Sequence, residues 1–382
     1  MKKKTDKRIA GLVLAGGLAE RMNRCKVLLP LDGVSALGHI TRRMRDSGVG
    51  SITVVTGGHE EMVRKEALRL GCSAVFNPAH ESGMYSSVIS GVKALSDDTL
   101  SFLLIPADIP LVKPATYRAL IEAFEESSGS PDVVYPTFRG DRGHPVLMGR
   151  AMIGPIMNWY GKNGLRGLLA DHPHRSVDVP TADRSILLDM DTPGDYEAMQ
   201  DYLEFEFCPD EDECAELLRI AGTPARAVRH MRVVAECGMS IADALLDRGK
   251  KLNRRLLLSA CLLHDLAKGE KYHEAKGAQW LRKRGYTKVA KLVASHKDLP
   301  ESRGLGEAEI LYLADKITDG ETVSTLANRL MRMEARFPSG SASMIHTRRR
   351  IDRAMSIQHR VEETVGRPLG DILAALSPDG TS

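Results

Sequence analysis

Apolar runs bounded by turn residues recur through the first half of the chain and alternate with segments of helical periodicity. The apolar runs predict strands at residues 9–14, 52–56, 74–76, 102–105 and 133–135. The segments of helical spacing predict helices at residues 37–46, 60–70, 86–94 and 114–126. Continuous apolar strands that alternate with helices are typical of a mostly parallel sheet covered on both faces. The first half is therefore predicted to be an α/β domain.

Beyond an acidic stretch the pattern changes to helical spacing throughout. Helices are predicted at residues 225–237, 254–266, 275–284, 288–295 and 308–317, which together favour a helical bundle. We expect a first domain at 1–205, an acidic linker at 206–213 and a second domain at 214–382. The helical tail of the second domain carries a basic cluster at 348–350. We interpret this cluster as a solvated helix face, and a homodimer contact is the alternative.

Composition narrows the classes of partner and compartment. A net charge of +3 over 382 residues is close to neutral, so we expect no general affinity for nucleic acid or membrane. The six cysteines are scattered without a CxxC pair, which is typical of reduced thiols. The charged start MKKKTDKR precedes an apolar stretch too short and glycine-broken for an export signal or a membrane helix. A cytoplasmic protein is expected.

The first predicted strand ends in a glycine turn, LAGGLAERMNRCK. Gly16 and Gly17 lack Cβ atoms, so their backbone can approach phosphate or a base closely. Arg21 and Lys26 follow within ten residues and supply positive charge for a leaving pyrophosphate. The turn is neither GxGxxG nor a P-loop. It predicts a site for a nucleoside triphosphate at the carboxyl end of the strand.

Later segments bring further polar groups to the same region. Gly83, Ser86 and Ser87 open a predicted helix, where backbone N–H groups favour anions or a base edge. Asp108 follows the strand in FLLIPADIPLV and is placed to hold Mg²⁺. LLDMDTPGDY is expected to end another strand with Asp189 and Asp191, of which Asp191 is favoured as a second carboxylate for the metal.

These segments, in this order, resemble the MobA-like nucleotidyltransferases, most closely the molybdenum cofactor cytidylyltransferase branch. The matching motifs are LAGGLAERMNRCKVLLP, GMYSS, ADIP, RGHPVL and DMDTP, over about residues 7–203. The resemblance implies transfer of a nucleoside monophosphate from a nucleoside triphosphate to a phosphorylated acceptor, with Mg²⁺ and release of pyrophosphate. GMYSS and RGHPVL favour CTP and molybdopterin. GTP, or a sugar or alditol phosphate acceptor, is the alternative.

The resemblance also implies roles for individual residues. Contacts to the nucleotide are expected from Leu14, Ala15, Gly16, Gly17, Arg21, Lys26, Gly83, Ser86, Ser87 and Asp108. Contacts to the acceptor are expected from Arg142, His144 and Arg166. Asp108 and Asp191 would hold Mg²⁺, while Arg21, Lys26 and Asp108 would act in catalysis through position and charge. A general base is not required, because a phosphate acceptor is already an anion.

The helical half carries histidines and carboxylates on or at the ends of predicted helices: His230, His264, Asp265, His273, His296 and Asp315. Imidazole and carboxylate together suit divalent transition metals, and a bundle can direct them toward one centre. The His-Asp pair ends the apolar run LLLSACLLHDLAKG, where both groups would be costly to bury without partners. The sequence therefore predicts a metal site.

This arrangement resembles the HD superfamily of metal-dependent phosphohydrolases, over about residues 212–335. The pattern of the family places metal ligands at His230, His264, Asp265 and Asp315, with His273 and His296 as additional ligands of members that bind a second metal. The resemblance implies hydrolysis of a phosphoester, usually of a nucleotide, with Asp265 and Lys268 in the reaction. The metal could be Mn, Fe, Ni, Co or Mg.

The fold class that follows is an α/β Rossmann-like nucleotidyltransferase domain with helices on both faces of its sheet, then an all-α HD-type domain. We interpret the chain as a bifunctional enzyme. In the alternative, the HD domain is a sensor that binds a nucleotide or metal without turnover. Such a sensor would regulate the nucleotidyl transfer of the first domain and would not catalyse a second reaction.

Overall fold

A computed structural model describes residues 6–17, 25–127, 131–172, 174–300, 304–336 and 341–376. The chain separates into two compact units, Met1–Glu206 and Phe207–Ser382. The first is α/β and the second is helical, so the predicted fold class is confirmed. Among the described helices there is none long and apolar enough to cross a bilayer.

The first unit alternates strands with helices. Its strands are β1 (Asp6–Ala15), β2 (Pro30–Leu31), β3 (Val34–Ser35), β4 (Val49–Thr56), β5 (Ser73–Phe76), β6 (Ser101–Pro106), β7 (Val133–Phe138), β8 (Asp141–Arg142), β9 (Val146–Gly149) and β10 (Ser176–Pro180). Its helices are α1 (Ala36–Asp46), α2 (Glu60–Arg69), α3 (Met84–Lys93), α4 (Pro114–Glu126), α5 (Ile153–Asn158), α6 (Gly164–Asp171) and α7 (Pro193–Glu204).

The main sheet has the strand order β10-β7-β9-β6-β1-β4-β5, with β8 paired to β7. The central strand β1 is parallel to both β4 and β6, whereas β9 is antiparallel to its two neighbours. Alternate residues of β1 enter two separate cores. Val13 packs with α1, α2 and α4 on one face, and Leu12 packs with α3, α5 and α6 on the other. This double cover explains why the strands read as continuous apolar runs.

Two parts of the sheet differ from the sequence prediction. The segment that leads to Asp189 and Asp191 was expected to end a strand, which is wrong: a 3₁₀ helix, Arg184–Leu187, is followed by irregular backbone. Core packing from a loop explains its apolar pattern, because the side chains of Ile186 and Met190 are fully buried in two separate hydrophobic clusters. Strands β9 and β10 were not predicted.

The second unit contains helices α8 (Glu211–Ile220), α9 (Ala225–Leu246), α10 (Arg254–Leu263), α11 (His273–Lys283), α12 (Thr287–Ser295), α13 (Glu307–Lys316), α14 (Leu326–Arg336), α15 (Ala342–Val365) and α16 (Leu369–Ile372). Helix α9 packs against α10, α13 and α15. A short hairpin, β11 (Thr318–Asp319) with β12 (Thr322–Val323), is the one exception to the expected all-helical character within the described residues.

Helix α8 begins inside the predicted acidic linker. The Asp210 side chain accepts from the Glu213 amide, and the Glu213 side chain accepts from the Asp210 amide, which forms a capping box. The acidic residues at this point therefore start a helix. The exact domain boundaries stay a prediction.

One buried carboxylate ties the loops of the first unit together. Asp183 accepts hydrogen bonds from the Lys113 amide at 2.8 Å, the Thr116 hydroxyl at 2.6 Å and the Ser185 hydroxyl at 2.5 Å. It thus joins the start of α4 to the segment after β10. Loss of this carboxylate would remove the acceptor of the buried Lys113 amide and Thr116 hydroxyl, whereas the Ser185 hydroxyl also contacts the Leu111 carbonyl oxygen.

We predict that Asp183→Ala lowers the free energy of unfolding of the first unit by about 3 kcal/mol. The chain has two tryptophans, so in a Trp280→Phe background the fluorescence of Trp159 reports urea unfolding of the first unit. Asp97→Ala, at a fully exposed carboxylate, serves as the control and should change stability by less than about 0.5 kcal/mol. Equal effects of the two variants would contradict the structural role of Asp183.

Candidate functional sites

The turn after β1 is the centre of the first candidate site. Gly16 and Gly17 directly follow Ala15, the last residue of β1. A Cβ atom on Gly16 would lie 2.8 Å from the Ser87 Oγ of α3, and one on Gly57 would lie 2.4 Å from the Gly16 carbonyl oxygen. The turns after β1 and β4 therefore pack too closely for a side chain at either position.

This turn borders a cavity of about 360 Å³. Most residues predicted to contact a nucleotide line it: Leu14, Ala15, Gly16, Gly17, Lys26, Gly83, Ser87 and Asp108. Ser86 is not among the lining residues, and its hydroxyl donates to the Ala79 carbonyl at 2.8 Å and accepts from Asn77 Nδ2 at 2.8 Å. Arg21 lies outside the described residues.

Several larger side chains that were not predicted from the sequence line the same cavity, namely Cys25, His80, Glu81 and Met84. His80 and Glu81 lie in a 3₁₀ helix, His80–Ser82, directly before α3. The His80 Nδ1 atom lies 3.2 Å from the Asn77 carbonyl oxygen, which fixes the imidazole beside the cavity. The glycine and serines at this helix start indicate a site for an anion or a base edge. The sequence has no pattern that indicates the turn which places His80 beside the cavity.

Charged groups gather beside the cavity. The Lys26 Nζ atom lies 2.6 Å from Asp191 Oδ1. Burial raises the pKa of Asp108 above its ordinary value; the charge of Lys26 opposes this shift, whereas those of Asp191 and Asp189 add to it. Of the two nearby aspartates, Asp191 contacts Lys26, whereas Asp189 is exposed. The arrangement suits a cation and a polyphosphate bound together.

The residues expected to bind the acceptor have different surroundings from those of the glycine turn. Arg142 pairs with Asp178 at 2.8 Å between Nε and Oδ1, and its guanidinium lies 4.0 Å from the centre of the Tyr135 ring. Burial lowers the pKa of His144. Arg166 is exposed on α6. These three side chains do not line the cavity beside the glycine turn.

The second candidate site lies where the helices of the second unit converge. Its ligating side chains come from α9, the ends of α10 and α12, the start of α11, and α13: His230, His264, Asp265, His273, His296 and Asp315. The Nε2 atom of His273 lies 3.1 Å from Asp265 Oδ1, and that of His296 lies 3.6 Å from the same oxygen. The Nε2 atom of His264 lies 3.7 Å from both Asp265 Oδ2 and Asp315 Oδ1.

The imidazoles are oriented by contacts on their outer sides. The Nδ1 atoms of His230, His264 and His296 lie 2.8, 2.9 and 2.7 Å from the carbonyl oxygens of Gly320, Cys261 and Val293, respectively. A carbonyl can only accept, so each Nδ1 carries a proton. In the neutral ring the Nε2 atom then carries a lone pair, and this lone pair is directed inward, as in protein metal sites.

The inward atoms form two sets of candidate ligands that share Asp265. One set is His230, His264 and Asp265, and the other is Asp265, His273 and His296. Within the described part of the chain, His264 Nε2 and Asp265 Oδ1 are buried without a hydrogen-bond partner, since the nearby imidazoles approach Asp265 Oδ1 without hydrogen-bond geometry. Acceptors that converge in this way need a cation between them, so the residues fit divalent metal.

The electrostatics of the carboxylates agree with this arrangement. Burial acts to raise the pKa of Asp265, but contacts with His273 and His296 outweigh it and hold the pKa below its ordinary range. Burial acts in the same direction on Asp315, where the charge of Lys316 outweighs it and lowers the pKa. Both carboxylates are therefore ionised, which is the form that ligates metal.

A cavity of about 550 Å³ opens onto these ligands, and cationic side chains border it. Lys268 Nζ lies 2.7 Å from Asp265 Oδ2, and Lys316 Nζ lies 2.5 Å from Asp315 Oδ2. Only Lys268 was identified from the sequence. The further cations around the cavity are Arg226, Lys297, Arg329 and Arg350. This surplus of positive charge suits an anionic substrate such as a phosphoester.

Three named proteins are each similar to part of this chain. Escherichia coli (strain K12) molybdenum cofactor cytidylyltransferase is 25% identical over 186 residues, which are 48% of this chain and 92% of that protein. Rhizorhabdus wittichii bifunctional protein GlmU is 32% identical over 36% of this chain, and the match spans only 30% of GlmU. A probable molybdenum cofactor guanylyltransferase of Bacillus cereus (strain Q1) is 25% identical over 36% of this chain and 66% of its own length.

Among solved structures, a nucleotidyl transferase from Methanothermobacter is 24% identical with a TM-score of 0.46, over 52% of this chain and 99% of that one. Two family models match the chain itself. That of the MobA-like NTP transferase domain matches residues 11–177, and that of the HD domain matches residues 227–320. The chain therefore carries a MobA-like NTP transferase domain in its first unit and an HD domain in its second.

Proposed function

We propose that the first unit transfers CMP from CTP to molybdopterin and releases pyrophosphate. The observation that carries this proposal is the cavity beside the glycine turn, with Lys26, Asp108 and Asp191 gathered at the carboxyl edge of the sheet. The match to a molybdenum cofactor cytidylyltransferase over nearly its whole length supports CTP and molybdopterin.

The residues beside the cavity suit an in-line transfer. Lys26 would neutralise charge on the triphosphate, and Asp108 with Asp191 would hold a magnesium ion. Such an ion would offset the negative charge that develops on the leaving pyrophosphate. An oxygen of the acceptor phosphate forms the bond to the α-phosphorus as the bond to pyrophosphate breaks. That oxygen is already anionic, so positioning and charge are sufficient.

The nucleotide donor and the phosphorylated acceptor each have an alternative that a competition assay can distinguish. The match to a probable guanylyltransferase supports GTP as the alternative donor. A sugar or alditol phosphate is the alternative acceptor. Because Arg142, His144 and Arg166 do not line the cavity, their contact with the acceptor rests on the sequence resemblance.

We propose that the second unit hydrolyses a phosphoester with divalent cations held by His230, His264, Asp265, His273, His296 and Asp315. A cation there would activate water for attack on phosphorus. The oxygen of water bonds to phosphorus, the ester P–O bond breaks, and the alcohol leaves with a proton. Lys268 lies 2.7 Å from Asp265 with its side chain half exposed, so it can turn toward a substrate phosphate.

A sensor that binds a nucleotide or metal without turnover is the alternative for the second unit. It would need a binding surface but no complete set of metal ligands. The convergence of four histidines and two carboxylates on one centre favours hydrolysis.

We predict that Lys26→Ala lowers the rate of nucleotidyl transfer to molybdopterin by about 100-fold or more, because the variant lacks the positive charge that would neutralise the triphosphate. Product mass is measured with CTP and GTP in parallel. Lys93→Ala, at an exposed lysine of α3, should behave as the wild type. Product from GTP alone would replace the CTP assignment, and no product from either would contradict molybdopterin as the acceptor.

We predict two divalent metal ions in the second unit of the full-length protein. His230→Ala and His273→Ala should each lose one ion, whereas Asp265→Ala should lose both, because its carboxylate belongs to both ligand sets. Metal per chain is measured by inductively coupled plasma mass spectrometry after dialysis. His346→Ala, at an exposed histidine of α15, is the matched control. Retention of both ions by Asp265→Ala would refute the shared ligand.

We predict that EDTA abolishes hydrolysis of p-nitrophenyl phosphate by the full-length protein and that Mn²⁺ restores it in the wild type. Asp265→Asn should stay inactive with Mn²⁺, because a neutral amide is a poor ligand. The release of p-nitrophenol is followed by absorbance. A metal-loaded wild type that binds nucleotides yet hydrolyses neither this ester nor any nucleotide would favour the sensor.

A further inference from the structure

The cavity beside the glycine turn of the first unit has two ends with different chemistry. The strand order places β6 on one side of β1, and β4 with β5 on the other side. Asp108 follows β6, and its carbonyl oxygen accepts from the Met190 amide at 3.0 Å, which brings the neighbouring Asp191 to the same side. Lys26 pairs with Asp191. The charged groups that suit a triphosphate and a cation therefore lie at the β6 end.

His80 lies at the other end of this cavity. It lines the cavity from the turn between β5 and α3, and it packs on the turn after β4, where a Cβ atom on Gly57 would lie 2.8 Å from the His80 Cβ. Among the described residues that line the cavity, Lys26 is the only lysine or arginine, and the carboxylate of Glu81 follows His80 directly. A nucleotide with its triphosphate beside Lys26 therefore has its base at the His80 end.

Hydrogen bonds of a buried asparagine hold the turn that carries His80. The Asn77 Nδ2 atom donates to the hydroxyls of Ser86 and Ser87 at 2.8 and 3.0 Å. The Asn77 Oδ1 atom accepts from the Ala79 amide at 3.0 Å. These bonds connect the residue after β5 to the first turn of α3. The position of His80 between them is therefore fixed before a ligand binds.

The same turn determines which nitrogen of His80 carries the proton. The Nδ1 atom lies 3.2 Å from the Asn77 carbonyl oxygen. A carbonyl oxygen can only accept, so Nδ1 is the donor, and in the neutral ring Nε2 carries a lone pair. The part of the chain that the structure describes shows no partner for Nε2. The imidazole therefore offers a ligand in the cavity a hydrogen-bond acceptor.

An acceptor at this position distinguishes the two pyrimidine bases. Cytosine carries an amine at C4, which donates, whereas uracil carries a carbonyl oxygen there, which can only accept. The lone pair on Nε2 can bond the amine of cytosine but would face a lone pair of the uracil oxygen. A polar group that loses its partner in this way costs binding free energy.

We infer that His80 selects the base of the nucleotide, because its Nε2 atom accepts a hydrogen bond from the 4-amino group of cytosine. His80 contacts the base and takes no part in bond formation at phosphorus. The motifs that carry the family resemblance do not include His80, so the assignment comes from the cavity and from the contacts of the turn. The inference rests on the CTP-dependent transfer proposed above.

The test compares CTP with UTP, which share the ribose and the triphosphate. With molybdopterin and Mg²⁺, kcat/KM of the full-length wild type should be at least about tenfold higher for CTP than for UTP. His80→Phe keeps a ring beside Phe76, whose centroid lies 6.1 Å from that of His80, but removes the acceptor. The variant should lower kcat/KM for CTP by about tenfold, chiefly through KM, and leave the value for UTP unchanged.

The matched control is His174→Phe in the same unit. The Nδ1 atom of His174 also lies close to a carbonyl oxygen, that of His172 at 2.8 Å, but His174 does not line the cavity. This variant should keep both values of the wild type, and circular dichroism verifies that each variant folds. An equal loss for both nucleotides in His80→Phe, or no loss for either, would overturn the inference while the transferase stands.

A second measurement separates this inference from the proposed function. Calorimetry compares the binding of CTP and UTP to the full-length protein with Mg²⁺, without an acceptor. The inference expects the wild type to bind CTP at least about tenfold more tightly than UTP and His80→Phe to bind both equally. That result without transfer to molybdopterin would refute the acceptor and leave the inference standing. Equal affinities in the wild type, an unchanged preference in His80→Phe, or binding of neither nucleotide would overturn it.

Discussion

The second unit brings together acceptor atoms that repel one another unless a cation lies between them. His264 Nε2 faces oxygens of both Asp265 and Asp315, and the carbonyl contact at its Nδ1 prevents the neutral ring from donating inward. Asp265 lies at the end of α10 and belongs to both ligand sets. The positions of α9 to α13 thus have a common chemical consequence: they create a centre that requires positive charge.

The first unit gathers charge by a different constraint. Parallel strands bring their carboxyl ends to one edge, and there the turn after β1, the start of α3 and the segment after β6 meet around one cavity. Close packing at Gly16 excludes a side chain at that position, while Lys26 and Asp191 supply opposite charges beside the turn. Both units therefore place their chemistry at the ends of secondary-structure elements, where loop and cap positions can carry polar groups without disrupting a core.

Local patterns predicted most of the fold. Continuous apolar strands and amphipathic helices can be recognised from neighbouring residues. The strand expected to end at Asp189 and Asp191 does not form, because Ile186 and Met190 are buried from a loop in separate hydrophobic clusters. The candidate metal ligands could be named from the sequence because histidine and aspartate at helix ends are chemically distinctive. Lys316 and His80 beside the two cavities were not predicted from the sequence. Their roles depend on how distant segments pack, which residue type and spacing do not encode.

The central claim is that one carboxylate is shared by two cations in the second unit. Crystals of the full-length protein grown with Mn²⁺ and measured near the manganese absorption edge test it most directly. The account predicts two anomalous peaks, one beside His230 and His264 and the other beside His273 and His296, each in contact with a different oxygen of Asp265. A single peak, or peaks that do not contact Asp265, would contradict it.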